Sequence, residues 1–151
     1  FGLLIAFAMN IFKNGTPVLL QTLGFENACQ AMMGSFSWDK LITAFCISTA
    51  MNTIFAPVFM TVHKITDTHI LNCNGSLTSL ITPISFGKIL SELNWSVQWN
   101  FVFKKTIPLF WIPAHTITFM LPGEYQVLFA ASLSIVLGIL LSVAAVMSRE
   151  K

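Results

Sequence analysis

The chain has 151 residues, 55% hydrophobic and 9% charged, with a net charge of +2 and a mean hydropathy of +0.76. An average soluble domain carries about 25% charged residues, so this composition excludes an ordinary water-exposed surface and points to lipid as the solvent. The small net charge has no dense basic patch behind it, so nucleic acid is not an expected partner.

The first element covers about 3–25, within "FGLLIAFAMNIFKNGTPVLLQTLGF". It reads either as one interrupted span with Lys13 at mid-depth, or as a span end, a break at Lys13-Asn14-Gly15 and a helix opened by Thr16-Pro17. The single span is preferred. The chain opens on Phe1 rather than Met, which leaves room for a preceding segment and gives no signal peptide to judge.

Residues 41–62 carry no charge over the length needed to cross a bilayer, and form the second expected span. Ala44, Ser48, Asn52 and Ala56 recur every fourth residue along it. Close helix contact in lipid favours such small-residue faces. Asn52 near mid-membrane needs a partner, either an interhelical hydrogen bond or a polar path. Pro57 is an expected kink.

Residues 66–82 are polar and contain Asn and Gly, so they read as a loop. Over 83–100, Phe86, Ile89, Leu90, Leu93 and Val97 recur at helical spacing, followed by Trp95 and Trp99. That pattern predicts an amphipathic helix, lying in the membrane interface or packed on the other helices.

The third span is expected at 106–122, after Lys104-Lys105 and up to Pro122-Gly123. It carries Pro108 and Pro113. The Pro113 ring displaces the carbonyl of Leu109, which predicts a kink around 109–113. His115, Thr116 and Thr118 lie within about a turn of it. They either satisfy local groups or line a polar pocket or path together with Lys13 and Asn52. The last span, 126–147, carries Ala130, Ser134, Gly138 and Ser142 four apart, a second expected helix-packing seam.

Lys64, Lys88, Lys104, Lys105, Arg149 and Lys151 fall on one side of this layout and Lys40 on the other. The bias places the 63–105 segment and the C-terminus inside. The acids Glu26, Asp39, Asp67, Glu92, Glu124 and Glu150 lie at span ends or in loops and form no acid–base couple. His63, His69 and Cys73 match no standard zinc spacing. Cys29, Cys46 and Cys73 are odd in number and widely spaced, so they read as free thiols rather than a disulfide framework. No phosphate loop or nucleophile elbow is present. Neither an enzyme nor a cofactor is expected.

Two segments carry a resemblance. "APVFMTVHKITD" runs from Ala56-Pro57 to Asp67, and Trp111, Pro113, His115, Phe119, Pro122 and Tyr125 follow in order near the third span. These resemble the motifs of the Mpv/PMP family, small multi-span proteins of the peroxisomal and mitochondrial inner membranes, with Gln126 where a basic residue is usual. The resemblance covers roughly residues 40–67 and 89–142. It implies a four-span layout and a pore or metabolite-transport role, in an organellar or a bacterial inner membrane.

The expected fold is therefore an all-α integral membrane bundle of about four transmembrane helices, one Pro-kinked, with an interfacial helix. Two functions compete: a pore or transport-related protein for small solutes, and a non-catalytic accessory subunit of a larger membrane complex. The lipid bilayer is the expected partner in both, with other subunits or further copies of the chain beside it.

Overall fold

The computed structural model describes residues 2–149, and the side chains of residues 2–133, 135, 136, 138 and 139. Every regular element among them is helical. Helix α1 spans Gly2–Thr22, α2 Ala28–Ala31 and α3 Trp38–Asn72. A 3-10 turn follows at Leu77–Leu80, then α4 at Phe86–Glu92 and α5 at Trp95–Val97. A π-helical segment, Gln98–Trp111, continues into α6, Ile112–Met120, and α7 spans Gly123–Arg149. Among the described residues, α1 and α3 are long and apolar enough to cross a membrane.

Helix α1 is continuous. The expected interruption at Lys13-Asn14-Gly15 does not occur, and Thr16 and Pro17 lie buried inside the helix. A proline removes one intrahelical hydrogen bond, and packing against the neighbouring helices holds the helix through that gap. Lys13 reaches across to the last helix. Its Nζ donates to Gln126 Oε1 at 3.0 Å, and Gln126 Nε2 donates to the Leu121 carbonyl at 2.8 Å. The ammonium is thereby held beside the corner between α6 and α7.

Helix α3 starts at a capped end. The Ser37 hydroxyl accepts from the Lys40 amide at 3.1 Å, and Asp39 lies in the first turn, where the helix dipole favours a negative charge. The helix then runs for 35 residues, through Pro57. The expected loop at 66–82 therefore begins seven residues late, at Cys73. Polar composition marks where an apolar stretch ends, not where the helix ends. His63 Nδ1 meets Asp67 Oδ2 one turn on, at 2.9 Å, and supports the polar continuation. The stop comes at Asn74 (φ 54°) and Gly75 (φ 67°), both in left-handed backbone, with the Gly75 amide donating to the Ile70 carbonyl at 2.9 Å.

The amphipathic helix expected over 83–100 is broken. Helix α4 ends at Leu93, whose backbone is extended (φ −62°, ψ 138°), and Asn94 caps a new helical start by accepting from the Val97 amide at 3.1 Å. Trp95 and Trp99 thus belong to the next rod, which is helical from Trp95 to Met120. The third element starts well before residue 106. An apolar period continues across a one-residue bend, so periodicity alone does not reveal the break.

Near Pro108 and Pro113 the rod changes its hydrogen bonding. The Ile112 amide reaches back five residues to the Ile107 carbonyl, and α6 begins at the same point with Pro113 in its first turn. A proline at the start of an α-helix needs no donor, and the wider turn before it absorbs the mismatch.

The core is shared by α1, α3 and α6. Met9, Ala44, Ile47, Met51 and Phe119 are buried together, with Ile5, Phe12, Phe55 and Ala130 packed around them. On the small-residue face of α3, Ala44 and Ser48 are fully covered. Large apolar side chains elsewhere point outward, including Leu3, Phe7, Val18, Leu19, Ile54, Val58, Leu109, Leu128 and Ile135.

Candidate functional site

The site is built where α3 meets α6. Ser48 and Asn52 stand one turn apart on the covered face of α3, and both reach the other helix. Ser48 Oγ donates to the Ile112 carbonyl at 2.7 Å. Asn52, 1% exposed, places Nδ2 2.8 Å from the Ser48 carbonyl and 3.0 Å from His115 Nδ1. His115 Nδ1 also lies 3.2 Å from Asn52 Oδ1, so the ring either accepts from the Asn52 amide or donates to its carbonyl according to its tautomer. Trp111 stacks on the same ring, with centroids 5.3 Å apart and planes at 24°. Among the described residues, no protein group meets His115 Nε2.

Thr116 meets this network at one point, the Ile112 carbonyl it shares with Ser48, and Thr118 stays outside it. Their hydroxyls donate to the Ile112 and Ala114 carbonyls of their own helix, at 2.7 and 3.0 Å. Lys13 lies apart with Gln126. Of the polar residues singled out by the sequence, Asn52 and His115 are the pair brought together.

They line a cavity of about 720 Å³. One wall is α3, from Met51 and Asn52 through Phe55, Phe59 and Met60 to His63, Lys64 and Asp67. At 1.5 Å per residue, Asn52 to Asp67 spans roughly 22 Å. The opposite wall is Gln98, Val102 and Trp111 from the π-helical segment, with His115 from α6. Ile5, Ala130 and Gly138 complete the lining.

The sequence did not single out Gln98 as a polar-path residue, and it named Trp111 only as part of a family motif. Both have a buried side-chain N–H without a protein partner among the described residues: Gln98 Nε2 and Trp111 Nε1. Gln98 is 8% exposed. Its only sequence signal was an amide inside an otherwise apolar helical pattern, hidden because that helix was expected to end there.

The prolines fall into three settings. Pro57 is internal to α3 and its carbonyl accepts from Thr61 Oγ1 at 2.7 Å. Pro108 lies inside the π-helical segment and Pro113 at the start of α6. On the last helix, Ala130 packs against the core, whereas a methyl group built on Gly138 meets no atom within 4 Å among the described residues. The side chains of Ser134 and Ser142 lie outside the described residues.

Near the end of α3, His69 Nε2 donates to the Ser79 carbonyl at 3.1 Å, with Cys73 Sγ 4.0 Å away. This ties the loop to the helix. Cys29, Cys46 and Cys73 are all free thiols, each partly buried. No protein-family model, curated protein or solved structure matches this chain.

Proposed function

We propose that the protein is an integral membrane bundle that admits small solutes through the cavity beside Asn52 and His115. The observation that carries this reading is the cavity itself: about 720 Å³, with Asn52 and His115 from different helices on its wall and His63, Lys64 and Asp67 along it. Ionisable and amide groups facing a common interior are what a path through a lipid-embedded bundle requires. The outward apolar faces of α1, α3 and α7 support a lipid surrounding, since a patch of that extent needs a cover.

In this reading α1, α3, the Gln98–Met120 rod and α7 are the four spans. The lower part of α3 then continues beyond the hydrocarbon, because 35 residues reach roughly 52 Å against a core of about 30 Å. The likeness of the Ala56–Asp67 and Trp111–Tyr125 segments to the Mpv/PMP family supports the same class. It favours an organellar or bacterial inner membrane.

The test is solute release from liposomes carrying the purified protein. Release of small polar solutes is expected from the intact protein, and a severalfold loss from His115→Phe, which removes the ring nitrogens from the cavity wall. Unchanged release from the variant contradicts the reading. If the intact protein releases nothing and His115→Phe instead dissociates a larger membrane assembly, the accessory-subunit function replaces it.

A further inference from the structure

The cavity beside Asn52 and His115 ends blind. Its α3 wall runs from Met51 to Asp67, and exposure rises along it. Asn52 is covered, Ala56 and Phe59 are partly buried, and the side chains of His63 and Asp67 are 48% and 46% exposed. Beyond Asn52, towards the start of α3, packed side chains replace the open space. Ala44, Ile47 and Ser48 of α3 and Thr118 and Phe119 of α6 are fully covered, with Met9 of α1 in the same core. None of these six lines the cavity. The Lys/Arg bias puts the exposed end, with Lys64, on the side of the 63–105 segment. The mouth therefore faces that side, and the floor is the seam between α3 and α6.

The two sides of that seam are built differently. Helix α3 is continuous for 35 residues, past the floor and along the whole cavity. Helix α6 has nine residues and a break at each end. Before it, the Ile112 amide still reaches back five residues, and Pro113 then supplies no donor. After it, Leu121 is extended (ψ 155°) and Pro122 follows, so the helix stops before α7 begins. A segment bounded by two such joints moves as a unit, because its flanking residues absorb the change. Two side-chain contacts fasten it to α3: Ser48 Oγ on the Ile112 carbonyl at 2.7 Å, and Asn52 with His115 Nδ1 at 3.0 Å.

We propose that the cavity opens to one side of the membrane only, and that α6 is its gate. A solute crosses when α6 parts from α3 at the Ser48–Ile112 and Asn52–His115 contacts. The inference rests on the proposed reading that the cavity admits solutes, and adds the side of entry and the element that moves. Ser48 is the residue through which the gate is tested. It lies outside the cavity lining, and Thr116 donates to the same Ile112 carbonyl at 2.7 Å. Removing the Ser48 hydroxyl therefore releases α6 from α3 without leaving that carbonyl bare. A contact made only in the closed arrangement favours it, so losing the contact shifts the population towards the open one.

The side of entry is read from Ala56→Cys in protein lacking the native cysteines. Membrane vesicles of each orientation are treated with a charged, water-soluble thiol reagent. Ser76→Cys and Ser35→Cys, at exposed positions in the loops after and before α3, report the two faces. Ala56→Cys is expected to react only in the vesicles where Ser76→Cys reacts. Reaction in both orientations makes the cavity a through-pore and overturns the proposal. Reaction only alongside Ser35→Cys, or in neither orientation, overturns it as well. The gate is read from solute release. Ser48→Ala should raise release from liposomes severalfold, the effect of losing one interhelical hydrogen bond, and leave the side of Ala56→Cys labelling unchanged. Release that stays equal or falls overturns the gate. One-sided labelling with no release from either protein removes the transport reading and the gate with it, and leaves the one-sided cavity standing.

Discussion

Asn52 and His115 form a cross-helix bond whose strength is measurable. Asn52 donates to the Ser48 carbonyl, pairs with His115 Nδ1 and is 1% exposed. Interhelical polar pairs in lipid-embedded bundles contribute about 0.6–2 kcal/mol. A double-mutant cycle of Asn52→Ala and His115→Ala, read by thermal unfolding in detergent, should therefore give a coupling of about 1 kcal/mol. A coupling near zero would mean that each side chain finds a partner without the other. At this scale the sequence was partly legible. A lone amide and a lone imidazole in apolar helices announce a need for partners. Which partner each takes depends on how two helices are rotated against one another, and no local pattern encodes that. The same limit hid Lys13, whose partner Gln126 is far along the chain.

Among the elements, apolar length gave the helix positions and missed their ends. The uncharged stretch at 41–62 lies inside α3, but α3 continues ten residues further because His63 and Asp67 support one more polar stretch of helix. The break at Leu93-Asn94 was invisible because apolar spacing continues across it. Small-residue spacing also needs a structure to be weighed. On α3, Ala44 and Ser48 are fully covered, so bulk there has nowhere to go. At Gly138 on α7, a methyl group meets nothing within 4 Å among the described residues. Ala44→Leu should thus destabilise by about 1–3 kcal/mol through overpacking. Gly138→Ala should hold or gain up to about 1 kcal/mol from helix propensity. Thermal unfolding of the two variants side by side checks this, and the reverse order of stabilities would move the packing seam to α7.

For the whole molecule, the account turns on which surfaces meet water. On the proposed reading, lipid covers the outward faces and water fills the cavity. Composition carries the first half of that reading, since 9% charged residues are few for a water-exposed surface. The cavity was not legible, because its walls come from five separate elements. One helix carries both surfaces: Ile54 of α3 is 65% exposed on the outer face, whereas Ala56 lines the cavity. The most direct measurement places a single cysteine at either position, in a background where Cys29, Cys46 and Cys73 are replaced by serine. Each protein is reconstituted in liposomes and treated with a charged, water-soluble thiol reagent. The account predicts modification of Ala56→Cys and protection of Ile54→Cys, although the latter is the more exposed side chain in the bare protein. Modification of Ile54→Cys with protection of Ala56→Cys would put the outer face in water and close the cavity, and would contradict it.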